Sequence, residues 1–237
     1  MHALSLVAEY AAHLLWPTRC SGCDAFVAPY VAFCDPCVAS LTELGPACPG
    51  CATPTSSGTQ RGCRLCERSQ FPFAAATAAF TYGGTLAEAI IKLKHSPRPD
   101  LARPLGRLMA PSLAWACRNV DVLVPVPLHP RKLRKRGYNQ ASLLLAHARR
   151  AAGVRIPVLV DGLRRLRDSA GMGRGTREER QAHVAGAFAA SHRAAFRGAN
   201  VLIVDDVMTT GATLSACAQA LLDAGAVRVH ALVLARA

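Results

Sequence analysis

A chain of 237 residues, 51% of them hydrophobic, is long enough for one sizeable core and a small accessory unit. Its formal net charge of +13 favours anionic partners, whether phosphates, nucleic acid or acidic membranes. Aromatic residues make up only 5%, which argues against an extended stacking platform for single-stranded bases.

From the N-terminus, the apolar stretch Ala3–Trp16 carries Glu9 and His13, lacks a basic leader and is too short to span a bilayer. It reads as an amphipathic helix docking on the body, and the cytoplasm is the expected location. Eight of the ten cysteines then fall in four C-x-x-C pairs: Cys20/Cys23, Cys34/Cys37, Cys48/Cys51 and Cys63/Cys66. Two residues between thiolates suit a tight turn that aims both sulfurs at one ion, and two such knuckles complete a tetrahedral four-thiolate site. Zinc fits best; iron fits the same ligands. Four thiolates leave no open position, so the sites read as structural, and so small a segment needs its metal to fold. Sequential pairing gives one ion on Cys20, Cys23, Cys34 and Cys37 and a second on Cys48, Cys51, Cys63 and Cys66; spacing alone leaves a cross-braced arrangement open. Cys117 and Cys217 sit among apolar residues and read as core. The sequence divides into residues 1–68, an N-terminal helix with a double ribbon, and residues 71–237, the body.

In the body, Phe73–Tyr82 reads as a strand ending at Gly83-Gly84, Leu86–Lys94 as a helix, and Leu101–Cys117 as a second helix with Pro104 in its first turn. Val122-Leu123-Val124 is a buried strand that runs into Pro125-Val126-Pro127, where one peptide bond is a candidate for the cis form. Five basic residues follow: Arg131, Lys132, Arg134, Lys135 and Arg136. At a strand exit in an α/β fold such a run suits a diphosphate nearby, or a nucleic acid backbone further out. Leu143–Ala152 is a helix ending at Gly153. Leu163–Phe188 combines Gly171, Gly173 and Gly175 with Arg164, Arg165, Arg167, Arg174, Arg177 and Arg180, the composition of a flexible cationic flap.

Val201–Thr213 organises the rest. Val201–Val204 is a strand buried on both faces, as in a parallel sheet. Asp205 and Asp206 follow, then Val207, Met208 and the small-residue turn Thr209-Thr210-Gly211-Ala212-Thr213, then a helix Leu214–Leu222 that stops before Gly225. A turn entering a helix N-terminus offers unpaired amides and the positive dipole end, and glycine allows close approach of an anion. Carboxylates suit the neighbouring hydroxyls of a ribose. A last strand, Val227–Leu234, completes the body.

VLIVDDVMTTGAT resembles the phosphoribosyl diphosphate (PRPP) motif of type I phosphoribosyltransferases. The full series of four C-x-x-C knuckles, Leu93-Lys94-His95, VPVPLHPRKLRKRGYNQ, the arginine-rich flap with its Arg180…Gly186-Ala187-Phe188 ending, and the DD-TTGAT turn resembles the ComF family, in order, over nearly the whole chain. The family usually has a glutamine in mid-flap, where this chain has Met172.

The resemblance implies an α/β phosphoribosyltransferase-type parallel sheet flanked by helices, preceded by a double zinc ribbon. It implies a cytoplasmic role in natural competence, handling incoming single-stranded DNA with DNA-uptake or helicase proteins; some relatives are linked to gluconate utilisation. It further implies that Asp205 and Asp206 hold the ribose, that Val207–Thr213 hold the 5-phosphate, and that Pro125, Val126 and Pro127 lie in the diphosphate loop. Magnesium would accompany PRPP, and the flap arginines would cover the leaving group. Two readings stay open: phosphoribosyl transfer, or a non-catalytic adaptor that binds nucleic acid or a partner and keeps the pocket as a remnant.

Overall fold

The structure, a computed structural model, describes residues 18–28, 31–56, 63–96, 98–167 and 186–237. The stretch Ala3–Trp16 and most of the glycine-rich flap lie outside the described residues. Two short helices, α1 (Asp35–Ala39) and α2 (Arg64–Arg68), each start directly after a cysteine, Cys34 and Cys63. The body then runs β1 (Ala75–Thr81), α3 (Gly84–His95), α4 (Ala102–Ala116), β2 (Val122–Pro125), α5 (Pro130–Arg136) and α6 (Gln140–Ala152). It continues through β3 (Leu163–Arg165), β4 (Phe188–Ala190), α7 (Arg193–Phe196), β5 (Asn200–Met208), α8 (Ala212–Leu222) and β6 (Arg228–Arg236).

The main sheet has four strands in the order β1-β6-β5-β2, and every pairing is parallel. Parallel strands need both faces covered, which explains why β5 and β6 are apolar almost throughout. Their side chains alternate between two cores. Val201, Ile203, Val229 and Val233 face α8 and the small antiparallel pair β3-β4; Leu202, Val204, Leu232 and Leu234 face α3, α4 and α6. The architecture is therefore helix, sheet, helix, as the sequence implies. The last strand, β6, inserts between β1 and β5.

The cysteine-rich segment packs on both faces of this sheet. Cys20 and Cys37 join the core of α3 and α4, and Cys48, Cys51 and Cys63 join the core of α8. Between the two clusters the chain runs along edge strand β1, where Leu44 N–H donates to the Ala79 carbonyl (3.0 Å) and Thr81 N–H to the Thr42 carbonyl (2.9 Å). At the opposite edge Leu123 exchanges hydrogen bonds with the residues around Val158, so both open edges are covered.

Two local expectations are corrected. No described peptide bond is cis; the strand ladder carries on through Pro125, with Val126 N–H donating to the Val204 carbonyl at 2.9 Å. And β5 does not stop before the acids: it continues through Asp205, Asp206 and Val207 to Met208, because β6 supplies partners as far as Arg236.

Gly106 in α4 packs directly against α6. A Cβ there would lie 2.7 Å from the His147 Cβ and 2.8 Å from the Leu144 carbonyl oxygen. Gly106→Ala gains up to about 1 kcal/mol in helix propensity, whereas overpacking against backbone costs about 1–3 kcal/mol. A lower thermal midpoint is expected for Gly106→Ala, and a larger drop for Gly106→Val.

Candidate functional site

The C-terminal ends of β5 and β2 open into a cleft of about 340 Å³, the place where open α/β sheets take ligands. Asp205 and Asp206 line it, and both are buried, at 9% and 3% exposure. Strand alternation sends the two carboxylates to different sides of the sheet. Asp206 turns toward α3, whose last turn carries Lys94, and the Lys94 Nζ lies 2.8 Å from Asp206 Oδ1. Asp206 Oδ2 is buried without a hydrogen-bond partner, an acceptor left unsatisfied at the cleft wall. Asp205 turns toward β3 and α8, where it feels Arg165 and the buried Cys217. Burial, with Asp206 beside it, pushes the Asp205 carboxyl up to about 7. Cys217 is core, as its apolar neighbours suggest, but it lies behind the acid.

The turn after β5 follows from Gly211, whose φ of +80° is left-handed backbone that other residues adopt only with strain. It precedes α8 without a capping side chain of its own, at the positive end of the helix dipole; of the first-turn amides, that of Ala212 is taken by the Thr210 hydroxyl. Thr209 and Thr213 line the cleft. Thr210 turns inward, its hydroxyl accepting from the Ala212 N–H at 3.4 Å. Val207 lines the cleft, while Met208 is buried beneath the turn.

The segment Gly137-Tyr138-Asn139-Gln140 assembles the opposite wall, each residue by a separate contact. Gly137 ends α5 in a left-handed conformation. The Tyr138 hydroxyl lies 2.6 Å from the Leu93 carbonyl and 3.1 Å from that of Ser96, fixing the helix end that carries Lys94. Asn139 accepts from the Ala141 N–H (3.0 Å), which starts α6 three residues before the expected Leu143, and its amide donates to the Val126 carbonyl (3.0 Å). Gln140 lines the cleft and accepts from Arg136. Arg136, Lys94 and Lys135 crowd His95, whose imidazole is held below its usual range mainly by burial.

The two four-cysteine clusters are paired sequentially. Cys20, Cys23, Cys34 and Cys37 form one, Cys48, Cys51, Cys63 and Cys66 the other, with the sulfurs of each within 4.8 Å of one another. Cys23–Cys34 and Cys48–Cys66 are 3.6 Å apart and Cys51–Cys63 3.5 Å. Tetrahedral zinc–thiolate bonds place sulfurs about 3.8 Å apart, whereas a disulfide needs about 2.05 Å. The donor set fits structural zinc at both sites.

Residues 138–237 match the phosphoribosyl transferase domain family, and residues 11–69 match the double zinc ribbon domain. The "DNA utilization protein YhgH" of an Escherichia coli strain is 30% identical over 194 residues, covering 80% of this chain and 83% of that protein. "Competence protein F" of Haemophilus influenzae is 30% identical over 158 residues, 64% of this chain and 68% of that protein. The chain belongs to the ComF family. Among solved structures, a glutamine PRPP amidotransferase from Bacillus subtilis aligns at 22% identity with a TM-score of 0.40 over 60% of this chain, which spans 30% of that enzyme's length.

In this ComF-family chain the remaining sequence candidates separate. Val126 and Pro127 line the cleft, while Pro125 is buried as the last residue of β2. Arg136 reaches the cleft wall through Gln140, but Arg131 and Arg134 are exposed on α5 and do not line the cleft. Of the flap arginines, Arg165 lines the cleft from β3 with its guanidinium 5.2 Å from the Phe188 ring centre, Arg164 and Arg167 are exposed, and Arg174 lies outside the described residues. Sequence reading did not assign Lys94, Gln140 or Tyr82 to the cleft. Lys94 had a usable signal, a cation in the last turn of a helix next to a strand end.

The raised Asp205 carboxyl has a pH consequence. Between pH 3.8 and about 7 the folded chain keeps a proton that the unfolded chain has lost. Without ligand, stability therefore falls as pH rises through that window, and the whole penalty is present above it. Asp205→Asn removes this slope. In urea denaturation the variant gains on the wild type between about pH 5 and about pH 8; parallel curves would contradict a raised carboxyl.

Proposed function

We propose that the cleft binds PRPP with magnesium, that its chemistry is phosphoribosyl transfer, and that the protein acts in DNA uptake and transformation. The observation that carries this is the buried acid pair near the end of β5, followed by a short small-residue turn into the N-terminus of α8, with both lining one cleft. The acids accept from the ribose diol while Thr209, Thr213 and the remaining first-turn amides take the 5-phosphate. The diphosphate then falls toward Val126, Pro127, Lys94 and Arg165. When the C1–O bond breaks, its electron pair leaves with the diphosphate and positive charge develops on the ring. Asp206, and Asp205 in its ionised form, stabilise that charge, while Lys94 and Arg165 stabilise the leaving group. The carboxylates of Asp205 and Asp206 are the cleft's candidates to hold magnesium, which would supply charge neutralisation to the bound anion.

The names of the Escherichia coli and Haemophilus relatives support placing this chain in DNA handling. The exposed cations of α5 (Arg131, Arg134 and Lys135) suit a single-stranded DNA backbone. Among the described residues no helix is long and apolar enough to cross a membrane. We place the protein in the cytoplasm.

Calorimetry of the zinc-loaded chain with PRPP and magnesium tests the site. Hydrogen bonds to charged groups contribute about 1.5–3 kcal/mol each, so Asp205→Asn with Asp206→Asn should weaken PRPP by about a hundredfold or more and leave DNA affinity unchanged. No binding heat from the wild type would refute the reading. A diphosphate-release assay with candidate acceptors then separates transfer from binding alone. For DNA, the log-affinity against log-salt slope should drop by about 0.7 for each of Arg131→Ala and Arg134→Ala; an unchanged slope would remove α5 from the interface.

A further inference from the structure

Arg236 ends β6 and is 4% exposed. In the sheet it pairs with Met208, the last residue of β5. Its guanidinium reaches two parts of the chain that are far apart in sequence. On one side Nη1 donates to the carbonyls of Met208 (2.9 Å) and Thr209 (2.6 Å), and also to that of Ala237. On the other, Nε donates to the Cys51 carbonyl (3.2 Å) and Nη2 to the Thr53 hydroxyl (3.1 Å). The first pair of carbonyls enters the turn that faces the cleft; Cys51 and Thr53 belong to the second four-thiolate site.

We propose that Arg236 is a positioning residue through which the second zinc site sets the geometry of the phosphate turn. The inference rests on reading that turn as the anion site. In a trans peptide the carbonyl and the following N–H point in opposite directions. Holding the Met208 and Thr209 carbonyls on the guanidinium therefore aims the amides of Thr209 and Thr210 away from it. The metal side of the linkage is continuous as well. The Thr53 hydroxyl oxygen lies 3.2 Å from Cys51 Sγ. A zinc-bound thiolate accepts hydrogen bonds, so the hydroxyl gives its proton to the sulfur and its lone pair to Arg236. The chain of contacts runs thiolate, hydroxyl, guanidinium, turn carbonyls. Outer partners of this kind orient metal ligands and affect metal affinity by about 10–100-fold. If the knuckle opens, a buried guanidinium loses two acceptors and the turn loses its anchor.

Thr53→Val breaks the chain without touching a metal ligand, a cleft residue or the volume of the side chain; Thr53→Ser keeps the hydroxyl and Arg236→Lys keeps only the charge. Full-length protein loaded with two zinc ions is used throughout. For Thr53→Val and Arg236→Lys we expect about tenfold faster release of one zinc to a chromogenic chelator, faster amide exchange in residues 208–213 than in 200–204, and about tenfold weaker PRPP binding; Thr53→Ser should restore all three. Zinc release and turn exchange that match the wild type in Thr53→Val would overturn the coupling, even if Arg236→Lys failed to fold. A wild type that bound no PRPP would overturn the anion role of the turn alone, since zinc release and exchange decide the coupling without any ligand.

Discussion

Two carboxylates buried side by side in the central strand are the constraint around which this fold is arranged. Asp205 and Asp206 sit in β5 beyond the end of its pairing with β2, on a strand that β6 partners as far as Met208, and both side chains are buried there. Their mutual repulsion has to be met in place. Lys94 meets one at 2.8 Å; protonation relieves the other, which Arg165 offsets only in part. Both cations come from the ends of elements that converge on the strand's exit, α3 and β3. The ion pair is not a stability device in itself, because desolvating it offsets much of the Coulomb gain. Its use is to keep two acceptors dry, fixed and partly unsatisfied beside the N-terminus of α8.

The metal-binding segment makes sense as bracing for the same place. Its first cluster lies on the α3 face. There Lys92 meets Asp24 at 2.6 Å and also donates to the Gly22 carbonyl, within the first knuckle and two residues before Lys94. Gly22 itself packs so close to Thr85 that a Cβ would overlap that side chain. The second cluster lies on the opposite face and meets the end of β5 through Arg236. Four thiolates on an ion give each knuckle a rigidity that loops rich in glycine and proline lack. Each face of the sheet therefore has one metal-stiffened loop, and each loop touches the element that carries one wall of the cleft.

Much of this was legible in the sequence, and the exceptions share a cause. The knuckles, the parallel strands and the helix ends at Gly153 and Gly225 follow from local chemistry: thiol spacing, apolar runs and glycine's left-handed backbone. The continuation of β5 through Asp205–Met208 did not, because aspartate is depleted in strands and only the neighbouring β6 overrides that preference. Thr53 and Arg236 carry no local signal in the sequence, yet they meet each other and the second knuckle in the folded chain. The basic run was legible as a run, but its division was not. Helix α5 is short and turned so that Arg136 reaches Gln140 while Arg131 and Arg134 face solvent.

That division separates two kinds of anion. A cleft of about 340 Å³ holding Lys94 and Arg165 offers its cations to a small anion. The cations of the second kind stand outside it on an exposed helix, where salt screens them and where a long backbone can lie across several at once. A net charge of +13 by itself points to neither. Sorted by burial, the charge argues for a small ligand inside and an extended one outside, adjoining through α5. Arg136 belongs to both sets, since it shares a helix with the exposed cations and a hydrogen bond with a cleft residue.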